Sequence, residues 1–214
     1  LYRQNEQDRV SIPDDIKRSD VKDALTRILV PFDKFPFNSK VDRAVFLAAI
    51  LTATIRRVLP TAPAFAFEAS TAASGKTLLA RCVAIFSGVK GVEVRTPCAN
   101  EEEWKKTLFA AARQGSAFLL YDNFSKTIKG DALNGFLTAS RFGGRILGAS
   151  EESEAPTNMM MVFTGNNLSL VGDINRRVLR CRIDPKTENP EDRVFDLDPY
   201  QYCLDHQSEL IIDA

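Results

Sequence analysis

From residue 64 onward the apolar positions fall into short runs of strand length, separated by longer segments with helical periodicity. "AFAFEA", "VEVRT", "AFLLYDN", "MMMVFTGNN" and "VLRCRID" predict five strands. "KTLLARCVAIF" and "NEEEWKKTLFAAARQG" predict two of the intervening helices, the second opened by Asn100 as cap with Glu103 three residues on. Alternation of this kind implies an α/β fold, a parallel sheet between helix layers, and such sheets bind ligands at the carboxyl ends of their strands. Ahead of the sheet, Ser39 and Asp42 stand at capping-box spacing and open a largely buried helix that stops before Pro60. A short amphipathic helix from about Asp20, then a loop rich in Pro and Phe, precede it. Met159, Met160 and Met161 read as core filling of a strand, and the acidic run Glu151 to Glu154 as a solvated turn.

The composition limits partners more than it identifies them. A chain of 214 residues, 44% hydrophobic, can bury a full core as one domain with flanking pieces. Lys plus Arg and Asp plus Glu both number 28, so a nucleic-acid partner has to be met by a local basic surface rather than by net charge. Cys82, Cys98, Cys181 and Cys203 show no C-x-x-C spacing, and the single His206 completes no metal cluster. Cys82 and Cys181 lie in apolar runs as reduced core residues do, which points to the cytoplasm. No stretch approaches the roughly 18 apolar residues of a membrane span, so no membrane partner is expected. The chain opens without a methionine and stops in helix-like sequence without a cap, as a segment of a longer protein would.

The chemistry centres on "EASTAASGKTLLARCV". A phosphate-binding loop needs a strand that delivers the chain, inward-facing backbone N–H groups, a lysine for the outer phosphates and a helix that starts there. Residues Ser70, Thr71, Ala72, Ala73, Ser74 and Gly75 form the candidate cradle, Lys76 supplies the cation and Thr77 the hydroxyl for Mg²⁺. Ser70 replaces the usual first glycine, whereas Gly75, where backbone and ligand come closest, is present. Two strand–helix units later, the apolar run "SAFLLYDN" ends in Asp122, a carboxylate placed to organise Mg²⁺. "VFTGNN" closes the fourth strand with Thr164, Asn166 and Asn167, polar groups suited to holding the attacking water. Arg176 and Arg177 precede the last strand, as an arginine finger would.

Together with "FPF", "ILTATIRR", "EEEWKKTLFAA", "FLTASRFGGRILG" and the tail "ENPEDRVF", these segments resemble the AAA+ ATPases. More closely, they are similar to the helicase ATPases coded by phages, prophages and other mobile elements, often next to or fused with a primase. The resemblance covers nearly the whole chain. It implies a lead segment over residues 1–38, an AAA+ P-loop core over 39–184, and the incomplete start of a helical lid over 185–214. It implies ATP with Mg²⁺, a ring usually of six, and single-stranded or forked DNA as partner. It gives Thr77 and Asp122 to Mg²⁺, Asn166 to a sensor position, and Arg176 or Arg177 to the neighbouring subunit's nucleotide. Residues 141–158 would form a hairpin that in related helicases points toward DNA.

Asn123 departs from the commoner AAA+ pattern, which has a water-polarising glutamate after the aspartate. Asparagine cannot be a general base, so either Asn123 orients water or an acid such as Glu102 or Glu103 is brought in. The acidic hairpin shifts expected phosphate contacts to Arg141, Arg145, Lys126 or Lys129. The expected function is an ATP-driven motor on DNA. The alternatives are an initiator or loader that switches on ATP with little hydrolysis, and a scaffold that keeps only the fold.

Overall fold

The computed structural model describes residues 14–124, 127–145, 152–186 and 196–214. Lys126, Glu151 and the segment "ENPEDRVF" lie outside the described residues.

The sheet is built around β1 (Ala64–Ala69), which is buried at every position. Phe65 and Phe67 enter the core under one helix layer while Ala64 and Ala66 enter the core under the other, the period-two alternation of a strand covered on both faces. The remaining strands are β2 (Val94–Arg95), β3 (Phe118–Phe124), β6 (Met160–Asn166) and β7 (Val178–Ile183). They lie in the order β2-β3-β6-β1-β7 and pair in parallel throughout. This is the expected five-stranded AAA+-like core. The β2 edge strand is shorter than "VEVRT" suggests: only Val94 and Arg95 pair, with Leu120 and Tyr121 of β3, and Val94 is exposed.

One face carries α1 (Arg18–Leu29), α2 (Lys40–Ile55), α3 (Lys76–Phe86), α6 (Pro199–Asp205) and α7 (Gln207–Asp213). The other carries α4 (Glu101–Arg113) and α5 (Asp131–Thr138). Ser39 caps α2 by accepting the Asp42 N–H at 3.2 Å, and Asn100 caps α4 by accepting the Glu103 N–H at 2.9 Å. α5 was not legible as a separate helix; its first turn is tied down by Glu101, whose carboxylate accepts the Ala132 N–H at 2.9 Å. α1 and α7 are joined where Arg27 forks onto Asp213 at 2.5 and 2.7 Å.

β4 (Arg141–Arg145) and β5 (Glu152–Pro156) pair antiparallel as a separate ribbon beside α4. Just past α2, the buried Arg56 donates to the carbonyls of Leu59 (2.7 Å), Thr157 (2.6 Å) and Met159 (3.1 Å), which fixes the chain passing from this ribbon into β6. Met159, Met160 and Met161 are core residues, as expected. Cys82, Cys181 and Cys203 are buried free thiols, and burial pushes the Cys82 and Cys181 thiols above the ordinary cysteine value. No helix among the described residues is long and apolar enough to cross a membrane.

Candidate functional site

Residues 70–75 leave β1 and turn into α3 at the carboxyl edge of the sheet. Two residues of the loop take left-handed backbone conformations, Ala73 at φ +53° and Gly75 at +95°. Ser70 does not, so serine in place of the first glycine is free of φ strain, and the cost sits at Ala73. Gly75 is required twice over, since a Cβ there would also lie 2.9 Å from the ring of Phe35. The Pro- and Phe-rich loop therefore packs directly on the turn at Gly75, a contact that composition alone did not reveal.

Lys76 is buried and folds back into the loop, where its Nζ donates to Thr71 O at 2.9 Å and to Ser74 Oγ at 2.8 Å. Burial pushes its ammonium below the ordinary lysine value, and Asp122 works weakly against that. Lys76 makes no ion pair among the described residues: a partly desolvated cation rests on neutral oxygens. That arrangement favours an anion entering the loop.

Across the site, Thr77 Oγ1 donates to Asp122 Oδ1 at 2.8 Å, so a hydrogen bond between two side-chain oxygens joins the first turn of α3 to the end of β3. A register shift separates Tyr121, which pairs with Phe163, from Phe124, which pairs with Gly165. Asp122 and Asn123 together oppose Thr164, making a β-bulge with Asn123 at φ +58°. The buried Thr164 hydroxyl serves both bulge residues, donating to Asp122 Oδ1 and accepting the Asn123 N–H at 3.2 Å. Leu120 belongs to the core under α3 and Tyr121 to the core under α4. Strict alternation would send Phe124 to the α3 side. The bulge returns it to the α4 side, stacked 6.3 Å from Trp104 and edge-on to Phe163 at 5.4 Å. Gly165 permits this, because a Cβ there would lie 2.6 Å from the Phe124 carbonyl oxygen.

The other candidate residues divide. Asn166 is exposed at the end of β6, level with Ala69 at the mouth of the loop. Asn167, at φ +48°, donates its N–H to Ala69 O at 3.0 Å and closes the turn. Arg177 is held within its own chain by Asn134 Oδ1 at 3.2 Å and by Asp173 at 3.8 Å, whereas the Arg176 side chain is 86% exposed and among the described residues is paired only with Asp173, at 3.9 Å. Glu103 spends its carboxylate on the Ala99 N–H at 2.6 Å and Glu102 pairs with Lys106 at 2.6 Å. Asn123 instead borders a separate cavity of about 510 Å³ with Glu101, Trp104, Thr127 and Lys129. A second cleft of about 560 Å³ opens beside Thr77, between Leu78 and Arg81 of α3 and the segment Leu197, Asp198, Pro199 and Tyr200. Sequence reasoning also missed Glu68, buried in β1 and paired with Arg180 of β7 at 2.7 Å, because a carboxylate inside a strand run carries no motif.

No family model and no curated protein matches the chain. Among solved structures it is similar to the A-form apo structure of the NrS-1 C-terminal region, at 14% identity and a TM-score of 0.57 over 99% of this chain and 48% of that one. A second A-form apo structure of that region gives 12% identity and a TM-score of 0.53, with the same coverage. An inhibitor-bound JCV helicase is more distant, at 14% identity and a TM-score of 0.43 over 92% of this chain and 53% of that one. The chain thus spans about half the length of the structures it matches. What the two NrS-1 structures share with it is the fold.

Proposed function

We propose that the chain is the ATP-hydrolysing motor domain of a DNA helicase serving replication of a phage or other mobile element, working in a ring of six with a primase as companion. The carrying observation is the meeting of Thr77 Oγ1, Asp122 Oδ1 and the buried Lys76 at the strand ends. In this reading residues 39–184 are the ATPase core, 1–38 its lead segment and 185–214 the start of the lid. Among the described residues no cluster of His, Cys, Asp and Glu could hold a metal by itself. That suits Mg²⁺, which binds through one or two protein oxygens and the phosphates; Thr77 and Asp122 are hard oxygen donors of that kind. Bound Mg-ATP supplies a phosphoryl group whose transfer to water needs positioning and charge neutralisation more than covalent help. Lys76 exchanges Thr71 O and Ser74 Oγ for phosphate oxygens. Thr164 holds the Asp122 carboxylate in place, Asn166 orients water, and Arg176 reaches out of its own subunit. The cleft between Leu78 and Tyr200 would hold the base of a bound nucleotide.

A second reading, an ATP-dependent initiator or loader with slow hydrolysis, is favoured by one observation. Glu102 and Glu103 are engaged within α4 and its cap, and the residue after Asp122 is an asparagine. Unwinding of a forked duplex with ATP separates the two. Strand separation supports the motor; ATP-dependent assembly on DNA without separation supports the switch.

A further inference from the structure

Between α4 and β4 runs a trough of about 720 Å³, lined among others by Lys105, Lys106, Phe109, Arg113, Gly144 and Arg145. Its one carboxylate, Glu102, is paired with Lys106. Lys105, Phe109 and Arg113 recur every four residues and so share one side of α4, with Lys105 and Arg113 about 12 Å apart along its axis. Phe109 is buried because β4 lies flat against it: a Cβ on Gly144 would fall 2.6 Å from its ring, and Arg113 covers the ring at 5.9 Å. Among the described residues Arg145 is paired only with Glu152, at 4.0 Å, and Lys105 and Arg113 have no ion pair. In a chain with zero formal net charge, four cations stand against two carboxylates here, Glu102 beside Lys106 and Glu152 beside Arg145, and the excess of Lys105 and Arg113 leaves a local positive field.

We propose that this trough carries the sugar–phosphate backbone of single-stranded DNA. The inference rests on the reading of the chain as a DNA motor and locates where the strand lies. The aromatic floor is covered, so bases find no stacking platform and binding is through phosphates, without sequence preference. Of the contacts the sequence suggested, Arg145 lines the trough, Arg141 is committed to Glu154 at 3.2 Å, Lys129 borders the cavity beside Asn123 and Lys126 lies outside the described residues.

The test is fluorescence anisotropy of labelled oligo(dT) with the full chain across a salt series, beside thermal shift with Mg-ATP. Each lost phosphate contact lowers the slope of log K against log salt by about 0.7. Lys105→Gln/Arg113→Gln is therefore expected to lower it by about 1.4 and to weaken binding roughly tenfold at low salt. Lys105→Arg/Arg113→Lys should keep the wild-type slope, and Lys105→Gln alone, at an exposed position, reads one contact if the double variant is unstable. Glutamine variants that bind as wild type overturn the trough alone. Wild type that is stabilised by Mg-ATP but binds no oligo(dT) overturns it too, while failure of both ligands overturns the motor reading with it. Loss of self-association with oligo(dT) binding intact assigns the trough to subunit contact and overturns the proposal.

Discussion

At the residue scale, Lys76 and Ala73 carry different burdens. Lys76 is a desolvated ammonium on neutral acceptors, so removing it leaves strand and helix in place but deletes the charge that an outer phosphate would meet. Lys76→Ala is expected to abolish most of the thermal stabilisation by Mg-ATP; equal stabilisation of both proteins would sink the nucleotide-site assignment. Ala73 holds a left-handed φ that costs an L-residue about 1 kcal/mol. Ala73→Gly should then raise the melting temperature by about 2–4 °C, the shift expected for that free energy at this size. An unchanged or lower value would mean that the loop relaxes from this turn in solution. Ser70, the residue that most weakens the motif on paper, has no such strain to relieve.

At the element scale the β3 bulge decides the geometry of the site. It turns Asp122 toward Thr77, gives Thr164 two partners and returns Phe124 to Trp104. It also supplies a backbone reason for asparagine beside the aspartate, since Asn enters φ > 0 more readily than Glu. Asn123→Gly should preserve folding and Mg-ATP binding, and Asn123→Glu should lower the melting temperature by a few degrees. On the proposed reading, in steady-state ATPase assays Asp122→Ala should cost more than about tenfold and Asn123→Ala less, because the first would remove a metal ligand and the second only a water contact. Equal losses would place Asn123 on the same footing as Asp122. A rise in turnover with Asn123→Glu would favour the switch.

At the scale of the whole molecule, the exposed Arg176 and the anchored Arg177 are not equivalent. A finger acting on the nucleotide of a neighbour must leave its own subunit, and only Arg176 is free of its own fold in that sense. If rings form, mixing Lys76→Ala with Arg176→Ala should restore part of the ATPase activity, because one subunit's intact loop meets another's intact finger. Sedimentation establishes assembly first. Exchange of subunits without any gain over the separate variants would return Arg176 to its own chain. Arg177→Ala should instead destabilise the monomer, measured by thermal melting, through loss of its bond to Asn134.

The alternation of apolar runs with helical segments determined the five strands and the layered architecture, because periodicity reports which faces are buried. Ser39 and Asn100 marked two helix starts for an equally local reason: a cap's partner lies three residues away. That Lys76 and Thr77 open the helix after β1 and that Asp122 lies near the end of β3 was legible in the same way. Tertiary structure alone decided the rest. That Thr77 and Asp122 share a hydrogen bond follows from β3 lying one strand from β1, with β6 between them. The bulge needs Gly165 opposite it, the turn at Gly75 carries Phe35, and the trough exists because Gly144 lets β4 rest on Phe109. Each depends on what another segment brings to the same place, and no local pattern records that.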